Sequence, residues 1–154
     1  RELLADENGG EGANAFVALF LGVRRIFARI AAADPEQGGP YGLSFTRVEP
    51  RPVYAQAGPQ ALQVGAVPEV LQLRVFQSGR YLLSASGGPS PAAPQVSVFS
   101  LPAMRAVKPG EPEGLHNLSA GDYLLLVTAA EPGLLRLCLA PESQAAACRA
   151  RLAE

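Results

Sequence analysis

The sequence predicts an all-β chain of the sandwich or barrel type ending in a short helix, and three observations carry that expectation. Apolar runs recur at Val70–Phe76, Tyr81–Ser86, Val96–Phe99, Tyr123–Thr128 and Leu134–Leu139, each bounded by Gly, Pro, Ser or Asp. Runs of that length and spacing are what short strands between tight turns look like. Glycine and proline supply 16 and 14 of the 154 residues, which shortens elements and multiplies turns. A Gly-x-Tyr stretch also recurs with period two: Tyr81, Leu83 and Ala85 share one face, as do Tyr123, Leu125 and Val127.

Composition narrows the function classes. Hydrophobic residues make up 48% of the chain and charged residues 18%, so a packed core is within reach and the surface is sparsely charged. A net charge of −1 leaves no electrostatic footprint for nucleic acid. Arg24, Arg25 and Arg29 interrupt the longest apolar stretch, Phe16 to Ala33, so it does not read as membrane-inserting. The opening Arg1-Glu2 reads as a trimmed or mature terminus.

The first third of the chain is the least regular. Residues 1–14 combine a short apolar opening with an acidic, Gly-rich loop. Phe16, Phe20, Val23, Phe27 and Ile30 then sit at helical spacing, which taken alone predicts an amphipathic helix. An internal repeat argues for strands instead. Val23–Pro35 aligns without a gap on Ala120–Pro132, ending in Ala-Ala-Asp-Pro against Ala-Ala-Glu-Pro. The opening of that second stretch also matches Gly79–Ser86, so 16–31 is expected to be β. The stretch Glu49–Pro59, broken by Pro50, Pro52 and Pro59, reads as a linker or irregular edge. Glu142–Glu154 is Ala-rich and Pro-free, the expected helix.

Leu118-Ser119-Ala120-Gly121-Asp122-Tyr123-Leu124-Leu125-Leu126-Val127, followed by Gly133–Leu139, resembles the bacterial pre-peptidase C-terminal domain. So do Leu71–Phe76 with Ser78–Tyr81, as that family's opening hairpin, and Val96–Phe99, as its middle strand. The resemblance runs from about Val53 to Pro141 and implies a jelly-roll-like antiparallel β-sandwich. Leu3–Gly10 and Gly38–Phe45 resemble only the back half of a further copy. The domain reading is therefore a partial unit over 1–48, a linker over 49–58, a complete sandwich over 59–141 and a helical tail over 142–154. Half a sandwich cannot bury its own face. Residues 1–48 are thus expected to pair with a missing segment or to dock on the complete unit, and the chain is expected to be a fragment of a longer polypeptide.

Candidate chemistry is thin. His116 with Ser119 and Asp122 has the residue types of a triad, but closeness in sequence is not triad geometry, and the histidine reads as a solvated loop residue. Asp6, Glu7 and Asn8, with Glu11 and Asn14 nearby, offer hard oxygen ligands among glycines. The resemblance adds calcium as a candidate ligand of that loop, a solvated acidic turn being the plainer reading. In the corresponding region of the second copy, Pro89–Pro94 holds no carboxylate, so no ion is expected there. Glu111 and Glu113 flank Pro112 in a loop, poorly placed to serve as a glycosidase pair. Arg24, Arg25 and Arg29 read as the wet side of a strand. No phosphate-binding loop, dinucleotide fingerprint or nucleophile elbow occurs.

Cys138 and Cys148 with a lone histidine cannot build a structural zinc site. They read either as a disulfide pinning the tail to the last strand or as two idle thiols, and the features pointing outside the cytoplasm favour the bond. The functional expectation is a non-catalytic accessory or structural module of an exported bacterial protein, with no cofactor beyond the candidate calcium. It would be secreted, periplasmic or surface-attached, and its partner would be the rest of its polypeptide or another subunit. A module binding carbohydrate or protein is the alternative, and it would need Tyr41 and Tyr54 exposed on one face.

Overall fold

The computed structural model describes residues 48–152, except 57, 66 and 111–113. The unit beginning at Glu49 is described by itself. The first-third expectations, including the strands at 16–31, the loop of Asp6, Glu7 and Asn8, and Tyr41, lie outside the described residues.

The architecture is two sheets and one helix. The strands are β1 (Arg51–Val53), β2 (Gln60–Val64), β3 (Glu69–Val75), β4 (Gly79–Gly87), β5 (Gln95–Ser100), β6 (Arg105–Ala106), β7 (Leu115–Leu118), β8 (Gly121–Thr128) and β9 (Gly133–Pro141). Helix α1 (Glu142–Leu152) follows β9 directly. A five-stranded sheet has the order β1-β3-β8-β5-β6 and a four-stranded sheet the order β2-β9-β4-β7. All neighbours are antiparallel except β1 and β3. The chain switches sheets at almost every step, the jelly-roll-like habit. All five apolar runs read from the sequence are strands. β2, β6 and β7 are additional to them, and β1 lies within the stretch expected as a linker and contributes Val53 to the core.

The core is the layer between the sheets, and period two builds it. Leu71, Leu73 and Val75 of β3 and Tyr123, Leu125 and Val127 of β8 point inward from the five-stranded sheet. Leu83 of β4, Leu62 and Val64 of β2, and Leu135, Leu137 and Leu139 of β9 meet them from the other side. Each fully buried leucine contributes about 1.5–3 kcal/mol of transfer free energy.

One expectation about the Gly-x-Tyr stretches is corrected. The first, by resemblance, belongs to an opening hairpin with Leu71–Phe76, yet β3 and β4 lie in opposite sheets, and so do β8 and β9. In-sheet partners are non-consecutive: β3 pairs with β8, and β4 with β9 and β7. The links β3–β4 and β7–β8 are therefore crossings between layers. Local alternation of side chains is identical in a hairpin and in such a crossing, so it does not distinguish them.

Tyrosine fastens each crossing. Tyr81 Oη donates to the Gln77 carbonyl at 2.7 Å, and Tyr123 Oη donates to the Ser119 carbonyl at 2.9 Å, each four residues back in the link just traversed. Both rings are buried in the core, so apolar body and polar tip are satisfied together. The two links also touch, because the Ala120 N–H donates to Ser78 Oγ at 2.9 Å. Gly121 has φ 152°, a backbone that L-residues rarely adopt. Gly79, before the other tyrosine, has no such φ.

Tyr81→Phe and Tyr123→Phe are each expected to lower the unfolding free energy by about 1 kcal/mol, the worth of a hydrogen bond, in urea titration. Leu125→Ala should cost about 2–5 kcal/mol. If both phenylalanine variants matched the parent, the hydroxyls would have no part in holding the crossings.

Candidate functional site

Among the described residues no group of three or more His, Cys, Asp and Glu gathers where a metal could be held. The residues singled out by sequence are dispersed instead. Asp122 stands on the face of β8 opposite Tyr123, with its Oδ1 3.7 Å from Arg74 Nε on the neighbouring strand. Ser119 is an exposed link residue whose carbonyl accepts from Tyr123. His116 lies on β7, cross-strand from Tyr81, and alternation puts it on the inner face with Leu118. The three candidate triad residues thus belong to different faces and are not brought together.

His116 itself is a correction. It is 3% exposed rather than solvated, the one buried polar residue among those described. Its Nδ1 is 3.1 Å from the Gly114 carbonyl, which only accepts, so Nδ1 carries the proton and Nε2 is the bare nitrogen of a neutral ring. Burial disfavours the imidazolium and pulls the pKa below its ordinary 6.5, while the carbonyl partner opposes that more weakly. The sequence signal that could have found this is Leu115-His116-Asn117-Leu118, whose alternation places His116 with Leu118. The run is too short, and too close to a glycine turn, to stand out as a strand.

The other built feature is at the C-terminus. Cys138 on β9 and Cys148 on α1 form a disulfide, with their Cα atoms 6.1 Å apart and both residues fully buried. Ala145, Cys148 and Leu152, at spacings of three and four, face the outside of the four-stranded sheet. There they cover Leu82, Leu115, Cys138 and Ala140, a second, smaller apolar cluster. Polar ties hold the helix at both ends. Glu142 pairs with Arg80 at 2.6 Å. Ser86 Oγ donates to the Leu152 carbonyl at 3.0 Å, and Arg136 Nη1 to the Arg151 carbonyl at 3.2 Å. Those carbonyls have no partner within the helix, so the donors complete its last turn.

An open groove of about 270 Å³ runs along Ala85–Gly88 and Ser90–Pro94. Its lining holds serines, glycines and prolines and no carboxylate, which gives a hard cation no charged ligand. Tyr54 is 59% exposed just after β1.

The chain is similar to a pre-peptidase C-terminal domain. That domain belongs to a collagenase from Bacillus anthracis, and the match has 11% sequence identity and a TM-score of 0.46. It covers 62% of this chain and 99% of that one. It is the same family that the sequence motifs resemble. No family model matches the chain, and no curated protein does.

Two measurements follow from the buried groups. An unfolded chain protonates its histidine around pH 6.5 while the folded one resists, so between the lowered pKa and 6.5 the unfolded state binds more protons. Stability should be complete above pH 6.5 and fall as the pH drops through the folded-state value. His116 is the sole histidine, so His116→Gln should flatten the melting temperature between pH 7.5 and 5; an unchanged slope would place its origin elsewhere. Replacing both cysteines, Cys138→Ala with Cys148→Ala, should cost about 2–3 kcal/mol, as expected for so short a closed loop. Intact mass measured with and without reductant should differ by two hydrogens in the parent protein alone.

Proposed function

We propose that this domain is a non-catalytic accessory or structural module of an exported bacterial protein, acting by packing against the rest of its polypeptide or a partner subunit. The observation that carries the reading is the interior. Leucine, valine and tyrosine fill the layer between the sheets, and the single buried polar side chain among the described residues is a neutral histidine bonded to a backbone carbonyl. Such a layer contributes stability and shape rather than reacting groups.

Two further features support an extracytoplasmic setting. A buried disulfide fits an oxidising compartment. The Gly-x-Tyr motifs resemble domains that accompany secreted peptidases and other exported proteins. The candidate calcium at Asp6, Glu7 and Asn8 belongs to the same proposal, through the resemblance alone. Binding of carbohydrate or protein remains the second reading, to which exposed Tyr54 contributes one aromatic.

Fractionation of cells expressing the natural gene, probed with an antibody to residues 49–152, tests the leading reading. The domain should appear outside the cytoplasm, oxidised, and either part of a larger polypeptide or co-purifying with one. A cytoplasmic, reduced and solitary protein would overturn it.

A further inference from the structure

Sheet edges are templates for further strands unless something blunts them. Three of the four edges among the described strands are blunted. β1 carries Arg51 and Pro52; β6 is two residues long and carries Arg105. Gly110 lies over the outer side of β7, its N–H donating to the Leu115 carbonyl at 2.6 Å. β2 is different. It reads Gln60-Ala61-Leu62-Gln63-Val64, with no charge, and prolines occur only outside it, at Pro59 and Pro68.

The direction of its free groups follows from β9. The Gln56 N–H donates to the Leu139 carbonyl at 2.7 Å, so the backbone groups of Leu139 point to the β2 side. Alternate residues of a strand point the same way. Leu137 and Leu135 therefore bond to their register partners Gln60 and Leu62. The N–H and C=O groups of Ala61 and Gln63 must then face outward. Both residues are exposed, and neither has a hydrogen-bond partner among the described residues.

We propose that the outer edge of β2 pairs antiparallel with β2 of a second copy of this chain, about a two-fold axis at Leu62. In that register Ala61 faces Gln63 of the second copy, and Gln63 faces its Ala61. Four backbone hydrogen bonds close between them, two for each facing pair. Leu62 meets Leu62 on the core side, and Gln60 meets Val64. The strand is its own complement because nothing in it is charged, and a two-fold contact sets each free donor against a free acceptor. The two four-stranded sheets become one continuous sheet. This contact is independent of the accessory-module reading.

The test uses the full 154-residue chain. Analytical ultracentrifugation over a rising concentration series should show a monomer–dimer equilibrium. Ala61→Lys with Gln63→Lys sets lysine against lysine across the axis and should abolish the dimer. Ala61→Glu with Gln63→Glu should do the same. A mixture of the two charged variants should dimerise again. Gln95→Lys, at an exposed position of β5, should dimerise as the parent does. Amide exchange in the parent gives a readout that needs no variant: protection at Ala61 and Gln63 should rise with concentration. A parent that stays monomeric throughout, a dimer that survives both charged pairs, or exchange at those amides independent of concentration would each overturn the proposal.

Discussion

Two crossings at one end of the sandwich set the arrangement of everything else. The β3–β4 link carries the chain from the five-stranded sheet to the four-stranded one, and the β7–β8 link carries it back. They lie side by side, since Val75 pairs with Gly121 and Gly79 with Leu118. Each is bolted by a tyrosine hydroxyl to its own carbonyl, and Ser78 ties one link to the other. Once these two turns are set, the inward registers of β3, β8 and β4 are set with them. Slipping any of these strands by one residue would turn its leucines out to water.

The four-stranded sheet has a second task, because its outer face is also apolar where β4, β7 and β9 meet. Leu82, Leu115, Cys138 and Ala140 would be wet without α1. The helix is short, and isolated helices of that length are marginal in water. Its own residues are modest as well, the buried ones being Ala145 and Cys148. Covalent attachment to β9 and the side-chain donors at its C-terminal carbonyls supply what propensity does not. The outer-face residues of β2, Ala61 and Gln63, stay exposed.

Much of this was legible in the chain. The five apolar runs are short and bounded by Gly, Pro, Ser or Asp, and period two marks the inward face in the two Gly-x-Tyr stretches, so strand identity follows from length, boundaries and alternation together. The terminal helix follows from alanines without proline. Layering was not legible, because a link between facing sheets and a hairpin within one sheet leave the same local pattern. β2 escaped notice because its two glutamines and an alanine dilute a five-residue alternation. β7 was lost to His116 and Asn117, which read as loop chemistry although His116 is in the core. Of the candidate site, the pairing of Cys138 with Cys148 was favoured over two idle thiols by the features pointing outside the cytoplasm, and the bond is present. The burial of His116 was not legible, since it depends on a strand that only the crossing puts in place.

The interlayer crossings are what make the buried layer between the two sheets. Backbone nuclear Overhauser contacts in solution test those crossings most directly. The account predicts contacts between Leu73 and Tyr123 and between Leu83 and Leu139, with none along a β3–β4 ladder. A continuous ladder of backbone contacts joining Leu71–Val75 to Tyr81–Ala85 would contradict it.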